Sequence, residues 1–216
     1  KDFDSFSSEL RGILSMKPSI DTWAKVMKLF HEADESDVDN FELLEQYAAQ
    51  HMETWDDDVM HLPRSVDKKI EQGTEMSQAD LAIMALSREA VFTFIDENSD
   101  NLQLLEQLPF NNLKTLTLTT EEKTDNEALQ RLAQQGFFAD LKRISFNLRG
   151  VDSQSYQDIL GSLGKIEDLT FGYGTLSTEA MQSLADNPGV SELKKISKEI
   201  REILINDKVY KVNIVY

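Results

Sequence analysis

Leu141-Lys142-Arg143-Ile144-Ser145-Phe146 places apolar residues at its first, fourth and sixth positions and polar residues between them. The arrangement recurs as LKTLTL from Leu113, IEDLTF from Ile166 and LKKIS from Leu193, at steps of 28, 25 and 27 residues. Within each copy the apolar and polar residues alternate, the mark of a strand with one face buried and one wet. Self-similarity at such a period is the mark of a solenoid, whose repeats bury their apolar sides only by stacking on one another.

Working outward, the segments between copies read as short amphipathic helices. Ala128, Leu129, Leu132 and Ala133 line one face of 124–135, with Thr124 and Glu127 spaced as a capping box. Tyr156, Ile159, Leu160 and Leu163 do the same in 152–163, and Ala180, Met181, Leu184 and Ala185 in 177–186. Upstream, Val91-Phe92-Thr93-Phe94-Ile95 is short and rich in β-formers, and Glu89 precedes Leu113 by 24 residues. It is expected to be the first, irregular strand, with Leu102, Leu104, Leu105 and Leu108 in its return segment. Pro109 and Asn111-Asn112 then turn the chain. Downstream, Lys198 stands where the third apolar residue of the last copy belongs. A short helix around Ile200, Ile203 and Leu204, a turn at Asn206-Asp207 and a sealing strand with Val209, Val212 and Ile214 are expected to close the array.

The alternation separates this pattern from a doubly wound sheet, whose strands are covered on both faces and apolar almost throughout. Here Lys114, Thr115 and Thr117, then Lys142, Arg143 and Ser145, then Glu167, Asp168 and Thr170, then Lys194, Lys195 and Ser197 all face away from the core.

Residues 1–85 have a different rhythm. Phe3, Phe6, Leu10, Ile13 and Leu14 recur at helical spacing, and Pro18 with Ser19 punctuates before Ile20, Trp23, Val26, Met27 and Phe30. Ser36 and Asp39 are spaced as a capping box ahead of Phe41, Leu44, Tyr47, Ala48 and Trp55. Pro63 breaks an irregular stretch, and Gly73 ends it. Ser77 and Asp80 form another capping box before Leu81, Ile83, Met84 and Leu86.

The L-x-x-L-x-L runs at Leu113, Leu141 and Ile166, with the helical segments EALQRLA from Glu127 and TEAMQSLA from Thr178, resemble the leucine-rich repeat family in its ribonuclease-inhibitor-like form. The resemblance covers roughly 86–216. It implies an α/β fold: a short right-handed leucine-rich-repeat solenoid, parallel strands on one face and helices on the other, preceded by an all-α N-terminal capping domain over 1–85. One departure stands out. Where the family has Asn or Cys in the turn after the strand, this chain has Glu121, Arg149 and Gly174, so those turns need other hydrogen-bond partners. The helical front half, with WDDDVMHLP from Trp55, resembles helical segments that precede repeats in some bacterial proteins.

Composition narrows the function classes. The 216 residues are 40% hydrophobic and 28% charged, as globular chains are, and hold no cysteine, so no disulfide, thiolate metal site or Cys nucleophile exists. A reducing, cytoplasmic setting is expected. The chain opens on Lys1, not Met, as expected of a chain from which an upstream segment has been removed. No secretory signal is visible at the start of the sequence, and no apolar run in it approaches the about 20 residues of a membrane span. The net charge of −17 opposes binding to nucleic acid or to anionic membranes. The window Glu32–Asp58 holds eleven acidic residues and no Lys or Arg, either a solvated face or a docking patch for a basic partner.

Chemistry-bearing motifs are few. GxSxG, HExxH, GxxxxGK[ST] and GxGxxG do not occur, and Gly172-Tyr173-Gly174 reads as a turn. His31, His51 and His61 fall on different elements and read as structural. Asp96-Glu97-Asn98-Ser99-Asp100 has calcium-loop spacing, but position six is Asn101 and position twelve is Gln107, so it reads as a turn. Asp56, Asp58 and His61 are the plausible players of an enzyme or enzyme-regulatory reading. No cofactor or metal is expected. The leading expectation is a non-enzymatic protein-interaction module whose open strand face meets a protein or peptide. Its partner-binding residues are Lys142, Arg143, Ser145, Asn147, Arg149, Glu167, Asp168, Thr170 and Tyr173. A cross-strand ladder of Lys142/Arg143, Glu167/Asp168 and Lys194/Lys195 explains part of the same charge pattern without a partner, at roughly 0.2–1 kcal/mol per pair. Lys114 faces no acid in that ladder. The remaining alternative is an acidic masking or immunity-type protein that uses the helical part against a basic partner.

Overall fold

In the computed structural model, which describes residues 1–173, 176–197, 201–205 and 208–212, five helices precede a parallel sheet. The helices are α1 (Phe3–Leu14), α2 (Ile20–Glu35), α3 (Phe41–His51), α4 (Arg64–Gln72) and α5 (Gln78–Leu86). Ser19 caps α2 by accepting the Thr22 N–H, and Ser77 with Asp80 makes a complete capping box on α5. The Ser36/Asp39 box does not form. Ser36 ends α2 and donates to the Glu32 carbonyl, while α3 starts after Asn40, a left-handed residue (φ 65°) with no side-chain cap. Trp55 is buried as expected, but beyond the end of α3, in the turn that leads to a short 3₁₀ segment, Asp57–Val59. Gly73 ends α4 in the left-handed region (φ 69°), which glycine enters without Cβ strain.

The sheet runs β1 (Glu89–Phe94), β2 (Thr115–Thr120), β3 (Arg143–Asn147), β4 (Asp168–Phe171) and β5 (Lys195–Ser197). Its strands are parallel and lie side by side in chain order. The alternation of the repeat decides the faces. Ala90, Leu116, Ile144 and Leu169 share one buried row, and Phe92, Leu118, Phe146 and Phe171 the next. The return from β1 is a 3₁₀ helix, Asp96–Glu106, with Leu102 and Leu105 buried; the later returns are α6 (Asn126–Gln134), α7 (Ser153–Ser162) and α8 (Thr178–Ala185). These returns pack against their neighbours in turn and cover the buried rows; Phe146 stacks on Phe171 (5.9 Å), whose ring the edge of Tyr156 meets at 5.9 Å. The chain is thus mixed α/β.

Two more expectations need correction. Thr124 does not cap α6; Asp125 does, accepting the Ala128 N–H, while Thr124 Oγ1 donates to the Arg149 carbonyl. The stretch around Ile203 and Leu204 is not a helix but a strand, β6 (Arg201–Ile205). Its β-branched and alternating residues outweigh the weak helical spacing. It pairs antiparallel with β7 (Lys208–Val212), so the strand expected at Val209 and Val212 is present, in a separate two-stranded sheet that meets β5. Lys198, Ile200, Asn206, Asp207 and Ile214, together with the turn position Gly174, lie outside the described residues. Among the described residues no helix is long and apolar enough to cross a membrane.

The helical part is tied to the sheet at β1. Its free edge meets the chain between the 3₁₀ segment and α4: His61 bridges Glu89, the Leu62 N–H donates to the Glu89 carbonyl (2.7 Å), and the Thr93 N–H donates to Glu71 Oε1 (2.6 Å). Arg88, just before β1, reaches back to the carbonyls of Met52, Glu53 and Trp55 at 2.6–2.9 Å, where the C-terminal carbonyls after α3 attract a cation.

Candidate functional site

The unburied face of the sheet is built by the polar positions of each repeat. Glu89, Thr115, Arg143, Asp168 and Lys195 fall in one row across the five strands. Val91, Thr117, Ser145, Thr170 and Ser197 form the next, and Thr93, Thr119 and Asn147 a third. Ser145, Asn147 and Thr170, all named from the sequence, are half-exposed on this face. The register joins Arg143 to Asp168, as the ladder expects, with Nε 3.8 Å from the carboxylate. Lys142 and Glu167 precede their strands and are hydrogen-bonded backbone to backbone, the Glu167 N–H donating to the Lys142 carbonyl (2.7 Å). Glu167 pairs with Lys194 at 3.9 Å. Lys142 does not pair with Glu167; its Nζ lies 3.9 Å from Asp57. Lys114 makes no ion pair among the described residues. Such long, half-exposed pairs contribute about 0–1 kcal/mol each, so they orient side chains more than they stabilise the fold.

Asn147 shows how closely the strands approach. Its Nδ2 lies 3.4 Å from Thr119 Oγ1, and its Oδ1 would stand 2.1 Å from a Cβ on Gly172. A side chain at Gly172 would push the Asn147 amide aside, and Gly172 closes the row by donating its N–H to the Phe146 carbonyl (2.7 Å). At the rim after the strands, Arg149 and Tyr173 meet each other: the guanidinium sits 4.2 Å above the ring. A cation held flat on an aromatic face is pre-ordered for contact.

The turns that lack the family's Asn or Cys find other partners. Asp96 accepts the N–H groups of Glu122 and Lys123, both at 2.9 Å. Thr120 Oγ1 accepts the Arg149 N–H (3.0 Å), and Asn126 both donates to the Gly150 carbonyl (3.0 Å) and accepts the Asp152 N–H (2.9 Å). The turns after β2 and β3 are thus each held by side chains from the preceding repeat, and Asp96 of the apparent calcium loop serves as such a stitch.

Sequence reasoning missed what flanks the first row. The Asp56–Asp58 loop stands over it, and an open cleft of about 500 Å³ lies between, lined by Asp56, Asp57, Asp58, Glu89, Thr115 and Arg143. Asp57 is held there by Arg88 (3.3 Å) and Lys142 (3.9 Å). A triple Asp ahead of a predicted strand was a visible signal; the contact that brings it over the sheet spans more than thirty residues and was not. His61 is not a lining residue; its Nδ1 lies 2.7 Å from the Leu62 carbonyl. His51 packs on Tyr47 at 4.0 Å. Among the described residues no cluster of three or more His, Asp or Glu could hold a metal ion.

A second polar cluster is buried beside β1. Arg64 reaches both Asp67 (2.7 Å) and Glu71 (2.9 Å). Burial pushes the Asp67 carboxyl up to about 6, Arg64 opposing and Glu71 adding to the rise. Comparison with protein-family models, with curated proteins and with solved structures gives no match for this chain.

Proposed function

We propose that the chain is a non-enzymatic protein-interaction module, built as a short leucine-rich-repeat-type solenoid whose open sheet face receives a protein or peptide. The observation that carries this reading is the sheet face itself. Its polar rows are in register across as many as five strands, and are bordered by the Asp56–Asp58 loop and its cleft at one end and the Arg149–Tyr173 pair at the other. Stacking needs only the buried rows, which leaves the other face available for recognition. Strands in chain order with returns packed side by side support the solenoid part of the reading. The residues placed in contact are Lys142, Arg143, Ser145, Asn147, Arg149, Glu167, Asp168, Thr170 and Tyr173.

The test is affinity capture from lysate of the source cells with wild type beside Lys142→Glu/Arg143→Glu and Ser145→Arg. Lys142 is exposed and Arg143 and Ser145 are half-buried on the open face, so the variants should melt near wild type while a specific partner is lost from both. A partner retained by both variants refutes the sheet face. Melting that falls in step with capture means that the charges only hold the strands together.

A further inference from the structure

We propose that the cleft between the Asp56–Asp58 loop and the sheet face takes a cationic side chain of an extended peptide, with arginine as the fitting residue. This rests on the reading of the sheet face as a docking surface and names the chemistry of its occupant. Of the six lining residues four are carboxylates and one is a guanidinium. That guanidinium, Arg143, is held against the sheet face, with Nε 3.8 Å from Asp168 and Nη1 donating to Thr115 Oγ1 (3.4 Å). Asp57 is engaged by Arg88 and Lys142, which holds the loop in place. Asp56, Asp58 and Glu89 make no ion pair among the described residues. They form one anionic wall, facing the hydrogen-bonded Arg143–Thr115 pair. A planar guanidinium can bond two carboxylates at once, which an ammonium does less well.

The rows beyond the cleft suit the rest of such a peptide. Thr117, Ser145 and Thr170 are uncharged and half-exposed, so a backbone laid across them meets hydroxyls and no opposing charge. The chain's net charge of −17 attracts a cation from a distance and disfavours an acidic competitor. Charge complementarity thus selects a basic peptide over an acidic or neutral one.

The experiment is fluorescence anisotropy with a dye-labelled peptide of alternating Arg and Ser, beside Gln–Ser and Glu–Ser counterparts, at physiological salt. The Arg peptide should bind roughly tenfold tighter than the Gln peptide, a margin worth one to two charge-assisted bonds. Asp56→Asn/Asp58→Asn/Glu89→Gln should remove that margin. Asp37→Asn/Asp39→Asn/Glu42→Gln changes the net charge equally on a remote acidic groove and should keep it. Equal loss in both triple variants overturns the proposal, because attraction to the acidic chain as a whole then explains the binding. No binding of the Arg peptide overturns it too. Preference for the Glu peptide, abolished by Ser145→Arg, overturns the cationic occupant and leaves the docking face standing.

Discussion

Tyr156 carries the one buried side-chain polar atom that has no hydrogen-bond partner among the described residues. It is 3% exposed, and burial pushes its hydroxyl up to about 12. The matching place in the preceding helix is Leu129, which is smaller, apolar and carries no oxygen. Tyr156→Phe keeps the edge contact on Phe171 and removes the unsatisfied group, so it should raise the unfolding free energy by about 1 kcal/mol in urea titrations. A fall of similar size would mean that the hydroxyl has a partner. Helical spacing made the burial of this ring legible; the fate of its oxygen depends on what lies opposite, which no local pattern encodes. Asp67 is buried with a partner, Arg64, and titrates differently. Its carboxyl holds a proton more tightly folded, near pH 6, than unfolded, near 3.8. Its contribution to stability is therefore full below about pH 4 and is lost as pH rises through 6. Relative to Asp67→Asn, wild type should lose on the order of 2 kcal/mol between pH 4 and pH 7. A wild-type-minus-variant difference that stays flat over that range would show the carboxylate to be well solvated or fully offset by Arg64.

At the scale of elements, the repeat is bounded by two kinds of turn, and both limit what can be substituted. After the strands, side chains stitch one turn to the next. Before the strands, backbone lies on backbone: a Cβ on Gly164 would stand 2.1 Å from the Ala139 carbonyl oxygen, and one on Gly189 only 1.9 Å from that of Gly164. Ala139, Gly164 and Gly189 are 25 residues apart, one per repeat. Asn187 reinforces the last of these turns by donating to the carbonyls of Leu160 and Leu163 (2.8 and 2.7 Å). Gly164→Ala must move backbone and should cost about 2–4 kcal/mol, whereas Gly161→Ala, with nothing within 4 Å of the added methyl, should be neutral or stabilising. Equal melting temperatures for the two variants would show that the turns slide apart freely. Strand positions and buried rows were legible because alternation and burial have the same period. The caps were less so. Thr124 and Ser36 satisfy the capping-box spacing, yet Asp125 takes one role and Asn40 the other place, because Thr124 is drawn to the next turn's carbonyl and Ser36 to its own helix. Among the site residues, those on β3 and β4 follow from the repeat; Glu89, Thr115 and the Asp56–Asp58 wall do not, since their meeting depends on how the helical part docks.

Over the whole molecule the question is whether that docking makes one cooperative unit. An uncovered edge strand exposes unpaired N–H and carbonyl groups and invites association. Here α4 and the residues before it occupy the edge of β1, with Glu71 accepting the Thr93 N–H and His61 and Leu62 pairing at Glu89. Arg88 adds donors to three carbonyls beyond α3 and a salt bridge to Asp57, and Trp23 Nε1 donates to the His61 carbonyl (2.9 Å). The core is likewise continuous from Phe6 to Leu193, without a polar seam between helices and sheet. Both tryptophans, Trp23 and Trp55, lie in the helical part, so their fluorescence reports that part, while circular dichroism reports all of the chain. One cooperative unit requires the two signals to give the same urea midpoint and slope. Arg88→Ala strands the part-buried carbonyls of Met52 and Trp55 together, and should lower stability by about 2–4 kcal/mol with the two transitions still superimposed. If the fluorescence transition in that variant runs ahead of the circular dichroism, Arg88 is the joint between two separable units. The Asp56–Asp58 wall would then open with it, and peptide affinity at the cleft should fall in the same denaturant range as the tryptophan signal.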